Sequence, residues 1–182
     1  NMESYNSDGG PYGIDINATG EAAKDVTDYE GHGTHVSGII ASEWNGFGTS
    51  GVANGVKLVT VKAGSSSGEV SNADLARSYA YLSKAIDNRL NLVAVNNSWG
   101  DRCVSKALSL IVTELGKKGA ISVFSSGNAG TNSDYNPTTP SPLKDDPYAI
   151  VVDSSSNDGK NNQNFGVSTT DVLAPGQNIR ST

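Results

Sequence analysis

Features that would assign this sequence to several common protein classes are missing. Its one cysteine, Cys103, cannot form a disulfide bond within the chain, and a buried or half-buried thiol is a more ordinary role for it than a reactive one. No apolar stretch is long enough to cross a membrane, and no signal-peptide pattern opens the chain. No lysine or arginine cluster offsets the net charge of −6. Neither a membrane nor a nucleic acid is therefore an expected partner.

What the sequence does contain is typical of a globular domain. Its 182 residues suffice for one hydrophobic core; 36% of them are hydrophobic and 18% are charged. The 21 glycines, together with many asparagines and serines, predict long polar loops, where functional sites are often found. We expect a single domain over residues 1–182, or part of one, with no internal repeat.

Short apolar runs alternate with helical patterns along most of the chain. The runs that predict strands are residues 55–63, 90–98, 120–128, 148–154 and 171–175. Two helices are predicted by apolar stripes at spacings of four, three and four: Leu75, Tyr79, Leu82 and Ile86 in the first, and Val104, Leu108, Ile111 and Leu115 in the second. Ser71 is the expected cap of the first helix, and Gly119 is the expected stop signal of the second.

This alternation predicts the fold class and the edge of the sheet where a ligand binds. Parallel strands need helical crossovers, so we expect an α/β fold of three layers around a mostly parallel sheet. Residues 1–30 show no period and are expected to be irregular. Three strands are followed by polar, glycine-rich segments at residues 64–68, 97–101 and 125–130. Ligands of such sheets bind beyond the carboxyl ends of the strands, which is where these segments lie.

The only two histidines lie in one short stretch, GHGTHVSGII, at residues 31–40. His32 lies between two glycines at the start of an apolar helical run, where an imidazole can reach a cleft and take a proton near neutral pH. His35 is expected to be a packed histidine with one nitrogen hydrogen-bonded. A metal site is disfavoured, because zinc-binding histidines on a helix are usually spaced i, i+4 with a glutamate beside the first, whereas these are spaced i, i+3 beside Gly33.

Five segments resemble the motifs of the subtilisin-like serine peptidases, the subtilase family, and they follow one another in the family's order. GHGTHVSGIIAS resembles the family's histidine motif, and GVANGVKLVTVKA resembles its Gly-Val-Ala loop with the strand that follows. VAVNNSWG resembles the strand that lies along the substrate, and ISVFSSGNAG resembles the strand that ends in the oxyanion asparagine. DVLAPGQNIRST resembles the Ala-Pro-Gly segment before the nucleophile. The match covers residues 28–182 and leaves residues 1–27 as an irregular N-terminal segment.

The resemblance implies a peptide or protein substrate, no organic cofactor and a role for each matching residue. His32 would be the general base, and Asn128 would donate an N–H to the oxyanion of the tetrahedral intermediate. The residues implied to contact substrate are Gly64, Ser67, Gly68, Ser98, Trp99, Gly100, Ser126, Gly127 and Pro140. Trp99 is interpreted as the wall of a side-chain pocket, although packing in the core is also plausible, and Pro140 as part of the pocket rim. The family is mostly secreted or on the cell surface, which implies the same location here.

The loop EWNGFGTSG, residues 43–51, resembles one that wraps a calcium ion in some subtilases. Asn45 falls at the position whose side chain binds the ion. Calcium takes six to eight oxygen ligands, and the remaining protein ligands are expected from a part of the fold before this chain. The alternative is an ordinary Asn-Gly turn.

Two members of the family's catalytic triad are not identified in the chain. The aspartate should end an apolar strand upstream of the histidine, and none of Asp8, Asp15, Asp25 and Asp28 fits that context. The serine should lie in a Gly-Thr-Ser motif beyond the Ala-Pro-Gly segment, and no such motif follows it here. We therefore expect a fragment of a subtilase domain, inactive by itself, whose partners include the missing segments of that domain.

The sequence also bears on three other functions. Ser66 lies in a G-x-S-x-G pattern, GSSSG, but both histidines precede it, whereas the α/β-hydrolase order is serine, acid, histidine. A degenerate subtilase-like module that only binds peptides or a partner stays open, although His32 and Asn128 would have no use there. A nucleotide-binding domain would need a phosphate-binding glycine motif at a strand end, and the sequence has none.

Overall fold

Short parallel strands alternate with helices in the computed structural model, which describes residues 12–65, 68–100, 106–138, 140–155 and 163–182. The strands are β1 Tyr12–Asp15, β2 Val59–Lys62, β3 Ala94–Asn97, β4 Ile121–Ser125, β5 Ala149–Ser155 and β6 Val172–Pro175. The α-helices are α1 His32–Ala41, α2 Asn72–Asp87 and α3 Lys106–Lys117, and two 3₁₀ helices span Gly20–Lys24 and Ser141–Leu143. Five of these strands lie within or largely within the predicted runs. Asp8, Ser66, Ser67, Cys103 and Val104 lie outside the described residues.

The strands form two sheets whose pairings are all parallel. In the first sheet β1 pairs with β2, from Tyr12 opposite Val59 to Asp15 opposite Lys62. The second sheet has four strands in the order β3-β4-β5-β6. The α/β class with parallel strands is thus confirmed. Among the described ranges, no helix combines the length and apolar character needed to span a bilayer.

The expectation that residues 1–30 are irregular is wrong for residues 12–15, which form β1. Four residues are too few for a periodic pattern, and this strand is stabilised by its pairing with β2 and by an ion pair of 3.3 Å between Asp15 and Lys62. Gly13 is required by close packing: a Cβ there would lie 3.0 Å from Val26 Cγ1 and 3.1 Å from the Thr60 carbonyl oxygen. Contacts distant in sequence therefore decide this strand.

Helix α2 begins where its capping residue predicts. The Ser71 hydroxyl accepts a hydrogen bond from the Asp74 N–H at 3.2 Å, and the Asp74 carboxylate accepts one from the Ser71 N–H at 2.9 Å. This reciprocal pair satisfies N–H groups that a helix N-terminus otherwise leaves free. Along the predicted stripe Leu75, Tyr79 and Leu82 are buried.

Helix α3 also presents its predicted face to the core, with Leu108 and Leu115 buried. It ends before Gly119, whose φ of +104° suits glycine.

Buried polar groups near α2 are paired: the Tyr79 hydroxyl lies 3.0 Å from Ser122 Oγ and 3.3 Å from Asn97 Oδ1. Burial is the main cause that raises the pKa of Tyr79, so this phenol stays neutral and can donate.

The chain divides into two compact units. The first comprises residues 1–78 with 180–182, and it contains the two-stranded sheet and α1. The second comprises residues 79–179, and it contains the four-stranded sheet and α3. The organisation as a single domain over residues 1–182 remains a prediction.

Candidate active site

His32 is the first residue of α1 and is exposed. Gly31 before it has a φ of +91°, a conformation that favours glycine, and its carbonyl accepts the first bond of the helix, from the His35 N–H at 3.0 Å. The imidazole is therefore carried on a sharp turn at a helix N-terminus. An exposed imidazole in this position is free to approach a substrate and to exchange a proton.

Asp28 holds this turn together. One of its carboxylate oxygens accepts hydrogen bonds from the N–H groups of Gly31 at 2.8 Å and Glu30 at 3.1 Å. The other accepts from the N–H and the hydroxyl of Thr34, both at 2.8 Å. The bond from the Gly31 N–H is the largest cause that holds the pKa of Asp28 well below its usual range. Asp28 thus acts as a cap of α1 and stays ionised.

Glu30 adds a second carboxylate to the same turn. Its Oε2 accepts a hydrogen bond of 2.9 Å from the His32 N–H. Negative charge at this end of a helix interacts favourably with the helix dipole. A Cβ placed on Gly68 would lie 3.9 Å from Glu30 Cγ, so the loop that contains Gly64 and Gly68 lies beside the histidine turn. The first unit therefore brings His32 and one predicted edge of the substrate groove together.

The aspartates considered for the triad have other partners. Asp15 pairs with Lys62, and Asp25 accepts from the N–H of Thr27 at 3.0 Å and from its hydroxyl at 2.5 Å. Asp28 is occupied by the α1 N-terminus. Within the described ranges, no carboxylate is hydrogen-bonded to the His32 imidazole.

One Gly-Thr-Ser tripeptide does occur in the sequence, at Gly48–Ser50. It lies in the loop between α1 and β2, where Ser50 is exposed. The family's nucleophile belongs after the Ala-Pro-Gly segment at residues 174–176, so Ser50 is not at the matching position.

His35 and Asn45 also lie in the first unit. His35 is half-buried in α1, and its backbone carbonyl accepts a hydrogen bond of 2.6 Å from the Ser181 hydroxyl. No hydrogen bond to its imidazole is present in the described part of the chain. Asn45 Oδ1 accepts a bond of 3.0 Å from the Phe47 N–H, as in an Asn-Gly turn.

The carboxyl ends of β3 and β4 meet in the second unit. Asn97 lies opposite Phe124 in the register. The half-buried Trp99 packs edge-on against Phe124, with ring centroids 5.8 Å apart, and its indole N–H donates to Asn97 Oδ1 at 3.1 Å. The Ser125 hydroxyl donates to the Trp99 carbonyl at 3.4 Å. Segment 98–100 therefore lies beside the end of β4.

The segment after β4 carries Asn128, which is exposed. Gly127 before it has a φ of +99°. Ser126 is buried, and its hydroxyl donates to Asp153 Oδ1 at 3.0 Å, so its side chain supports the segment. Pro140 is fully buried, and its carbonyl accepts a bond of 2.7 Å from the Leu143 N–H.

The predicted site residues thus fall in two groups. His32, Asn45, Gly64 and Gly68 lie in the first unit, and Ser98, Trp99, Gly100, Ser126, Gly127, Asn128 and Pro140 lie in the second. The capping role of Asp28 is not among the sequence-based predictions, although an aspartate shortly before a helix start is a recognisable signal.

Comparison with known proteins identifies the family. The model of the subtilase family matches residues 4–182. The chain belongs to the subtilase family. As a subtilase it is similar to the minor extracellular protease Epr of Bacillus subtilis (strain 168), with 35% identity over 159 residues, which are 85% of this chain and 23% of the relative. It is also similar to subtilisin Savinase of Lederbergia lenta, with 32% identity over 177 residues, which are 92% of this chain and 61% of the relative.

A solved structure supports the fold of this subtilase. The crystal structure of a cold-adapted subtilisin-like serine proteinase matches with a TM-score of 0.74 and 28% identity, over 94% of this chain and 56% of that one. The subtilisin-like three-layer α/β class predicted from the sequence is therefore confirmed. The chain spans from about a quarter to about three fifths of the length of the two curated relatives.

Proposed function

We propose that this chain forms part of a serine endopeptidase in which it supplies the general base, His32, and an oxyanion donor, Asn128. Membership of the subtilase family supports peptidase chemistry in general. The observation that carries the assignment of roles is that both residues follow a glycine of positive φ and are exposed at the end of a helix or strand. The triad serine and aspartate are assigned to none of the 182 residues.

In this proposal His32 takes the proton of a serine hydroxyl while that oxygen attacks the peptide carbonyl, and then gives the proton to the leaving amine. The carboxylates of Asp28 and Glu30 bind backbone N–H groups rather than the imidazole. They therefore orient the helix that carries the base. Proton exchange is left to the imidazole, which remains exposed.

Asn128 stabilises the negative oxygen that the attack creates. A donor fixed in advance stabilises this charge without reorganisation during the reaction. Gly64 and Gly68 in the first unit and segment 98–100 in the second each offer a backbone edge to which an extended substrate adds as a strand, and Gly68 and Gly100 allow backbone to approach backbone there. Trp99, which packs against Phe124 and donates a hydrogen bond to Asn97, forms one wall of a pocket for a substrate side chain.

Two substitutions test the proposal in the peptidase that contains this chain. His32→Ala is expected to lower kcat by at least about 10²–10⁴-fold because the general base is lost. Asn128→Ala is expected to lower kcat by about 10²–10³-fold with little change in KM, the range found for such a donor in a subtilisin. Asn136→Ala, at an exposed asparagine of the same unit, is the control and should leave both parameters unchanged. An unchanged kcat in Asn128→Ala would refute the oxyanion role.

The isolated chain of 182 residues is expected not to form an acyl-enzyme. No serine in it follows the Ala-Pro-Gly segment in a Gly-Thr-Ser motif, and without the nucleophile only binding and oxyanion stabilisation remain. Labelling the purified chain with a fluorophosphonate and measuring its mass tests this. A covalent adduct at a single serine would contradict it.

The proposal includes a calcium ion at loop 42–51. A cavity of about 270 Å³ is lined there by Ser42, Glu43, Asn45, Phe47, Gly48, Thr49 and Thr182. The hydroxyls of Ser42 and Thr49 are buried and have no hydrogen-bond partner among the residues that the structure describes, and oxygen is the ligand that calcium prefers. Within the described residues, no group of three or more His, Cys, Asp or Glu side chains could hold a metal. The ligands would thus be Asn45, hydroxyl and carbonyl oxygens.

Thermal unfolding with and without Ca²⁺ tests this site. An ion bound only by the folded state stabilises it, by about 2.7 kcal/mol at 100 times its Kd, so the Tm should rise with Ca²⁺. Asn45→Ala should remove most of the rise, and Asn45→Asp, which keeps an oxygen at the position, should preserve it. A rise of equal size in Asn45→Ala would assign calcium to another site.

Secretion is part of the same proposal. The Bacillus relative is named as an extracellular protease. A non-catalytic module that only binds peptides remains the alternative, and it predicts that His32→Ala and Asn128→Ala both leave the protein's activity unchanged while substrate peptides still bind.

A further inference from the structure

One side chain distant in sequence holds the turn that carries Asn128. The Asn164 side-chain oxygen accepts hydrogen bonds from the Ala129 N–H at 3.0 Å, from the Thr131 N–H at 3.2 Å and from the Thr131 hydroxyl at 3.0 Å. Its amide nitrogen donates to the Ser126 carbonyl at 2.9 Å. These bonds bind the chain on both sides of residue 128.

The backbone of Asn164 joins the same arrangement. Its N–H donates to the Gly127 carbonyl at 2.8 Å, and its carbonyl oxygen lies 3.3 Å from the Ser126 hydroxyl, whose proton is shared with Asp153. Asn164 is only 3% exposed. Buried hydrogen bonds of this kind are costly to leave unmade, so the turn has one strongly preferred conformation.

Gly127 is adapted to this contact. A Cβ at residue 127 would lie 2.7 Å from the Asn164 amide nitrogen, closer than real Cβ atoms come. The glycine therefore permits both the positive φ and the approach of Asn164. None of these bonds uses the side chain of Asn128, which stays exposed.

We propose that Asn164 is a positioning residue of the peptidase, fixing the turn that aims the Asn128 carboxamide at the oxyanion. The inference rests on the proposed oxyanion role of Asn128. A donor stabilises a transition state most when it is held in place before the reaction, so loosening the turn weakens the donor without removing it. Asn164 acts through Asn128 and touches no reacting atom.

Asn164→Ala in the intact peptidase is expected to lower kcat about tenfold with KM nearly unchanged, a part of the about 10²–10³-fold that the donor itself contributes. In the background of Asn128→Ala, Asn164→Ala is expected to lower kcat no further, because the donor it positions is already gone. An equal loss of kcat in both backgrounds would overturn the inference.

Val112→Ala is the matched control for stability. Val112 is fully buried in α3, and its truncation lowers stability without touching residues 126–131. It should leave kcat unchanged at a temperature where both variants are folded. If Val112→Ala lowered kcat as much as Asn164→Ala, Asn164 would affect kcat only through the stability of the fold.

Hydrogen exchange of the chain supplies a readout independent of catalysis. The amides of Ala129 and Thr131 should exchange faster in Asn164→Ala than in Val112→Ala, because they lose their acceptor. If Asn164→Ala does not fold, Asn164→Asp keeps that acceptor, loses the donor to Ser126 and adds a negative charge beside the Ser126 carbonyl; it should lower kcat several-fold, and an unchanged kcat would overturn the inference.

The outcomes separate this inference from the proposed function. If Asn128→Ala leaves kcat unchanged, the oxyanion role fails, whatever Asn164 does. If Asn128→Ala lowers kcat and Asn164→Ala does not, the oxyanion role stands and the positioning role fails.

Discussion

The turn before His32 and the turn before Asn128 are built from the same backbone feature but held in different ways. Gly31 and Gly127 have nearly the same positive φ, +91° and +99°. Around Gly31 the supporting carboxylate is Asp28, three residues away, whereas around Gly127 the support is Asn164, 37 residues away. The first turn is therefore a local structure, and the second depends on the packing of a distant segment.

The space around the two glycines differs accordingly. A Cβ on Gly31 would meet no atom within 4 Å, and one on Gly127 would lie 2.7 Å from Asn164. A substitution at Gly31 thus costs backbone strain alone. The same substitution at Gly127 adds the loss of buried hydrogen bonds.

The largest expected effect on the free energy of unfolding is that of Gly127→Ala. Backbone strain and the displaced Asn164 side chain together should lower the free energy of unfolding by about 2–4 kcal/mol. Gly119→Ala is the matched control, since its φ is +104° and its surroundings are open, and it should cost only about 1–2 kcal/mol. Urea unfolding of both variants measures the difference. Equal losses in the free energy of unfolding would mean that the Asn164 side chain moves aside without cost and does not fix the turn.

Gly31→Ala tests the other side of the comparison and should behave like Gly119→Ala, with a loss of about 1–2 kcal/mol. Its effect on kcat of the peptidase should nevertheless be larger than that of Gly119→Ala, because the strained residue adjoins the proposed base. A loss of stability as large as that of Gly127→Ala would contradict the view that the histidine turn is supported only locally.

The contrast between support from nearby residues and support from distant residues also explains which parts of the fold the sequence predicts. The stripe of Leu75, Tyr79 and Leu82 and the cap at Ser71 depend on residues within a few positions of one another, and both are found as expected. Strand β1 is short and depends on β2, more than 40 residues later, so no local pattern indicates it. Of the candidate site, the exposed His32 and Asn128 follow from motifs, whereas the support by Asn164 requires the three-dimensional structure.

Asp28→Ala sharpens the comparison at the local turn. It removes the acceptor of three backbone N–H groups and of the Thr34 hydroxyl. Because Asp28 is exposed, solvent screens its charge, and the expected loss is that of a helix cap, about 0.5–2 kcal/mol. Asp25→Ala is the control and should change stability less, because within the described part of the chain the Asp25 carboxylate accepts hydrogen bonds from Thr27 and none from α1. A larger loss of stability in Asp25→Ala than in Asp28→Ala would show that Asp28 does not cap α1.

The contribution of Asp28 should also depend on pH. Hydrogen bonds to its ionised form hold the pKa of Asp28 in the folded state below that of the unfolded chain, about 3.9. The stabilisation is therefore complete above about pH 4–5 and is lost as the pH falls towards the lower pKa of the folded state. The difference in unfolding free energy between the wild type and Asp28→Ala should accordingly be constant from pH 7 to 5 and shrink below pH 4. A difference that grows in acid would contradict this sign.

The smallest expected effect separates the two bonds that Thr34 makes to Asp28. Thr34→Val removes the hydroxyl donor and keeps the backbone N–H, so about half of this contact survives. The free energy of unfolding should fall by about 0.5–1 kcal/mol, since the lost bond is exposed to solvent. In the background of Asp28→Ala the same substitution should cost almost nothing, because its acceptor is absent. An equal cost in both backgrounds would show that the hydroxyl acts through another neighbour and that backbone donors alone hold the histidine turn.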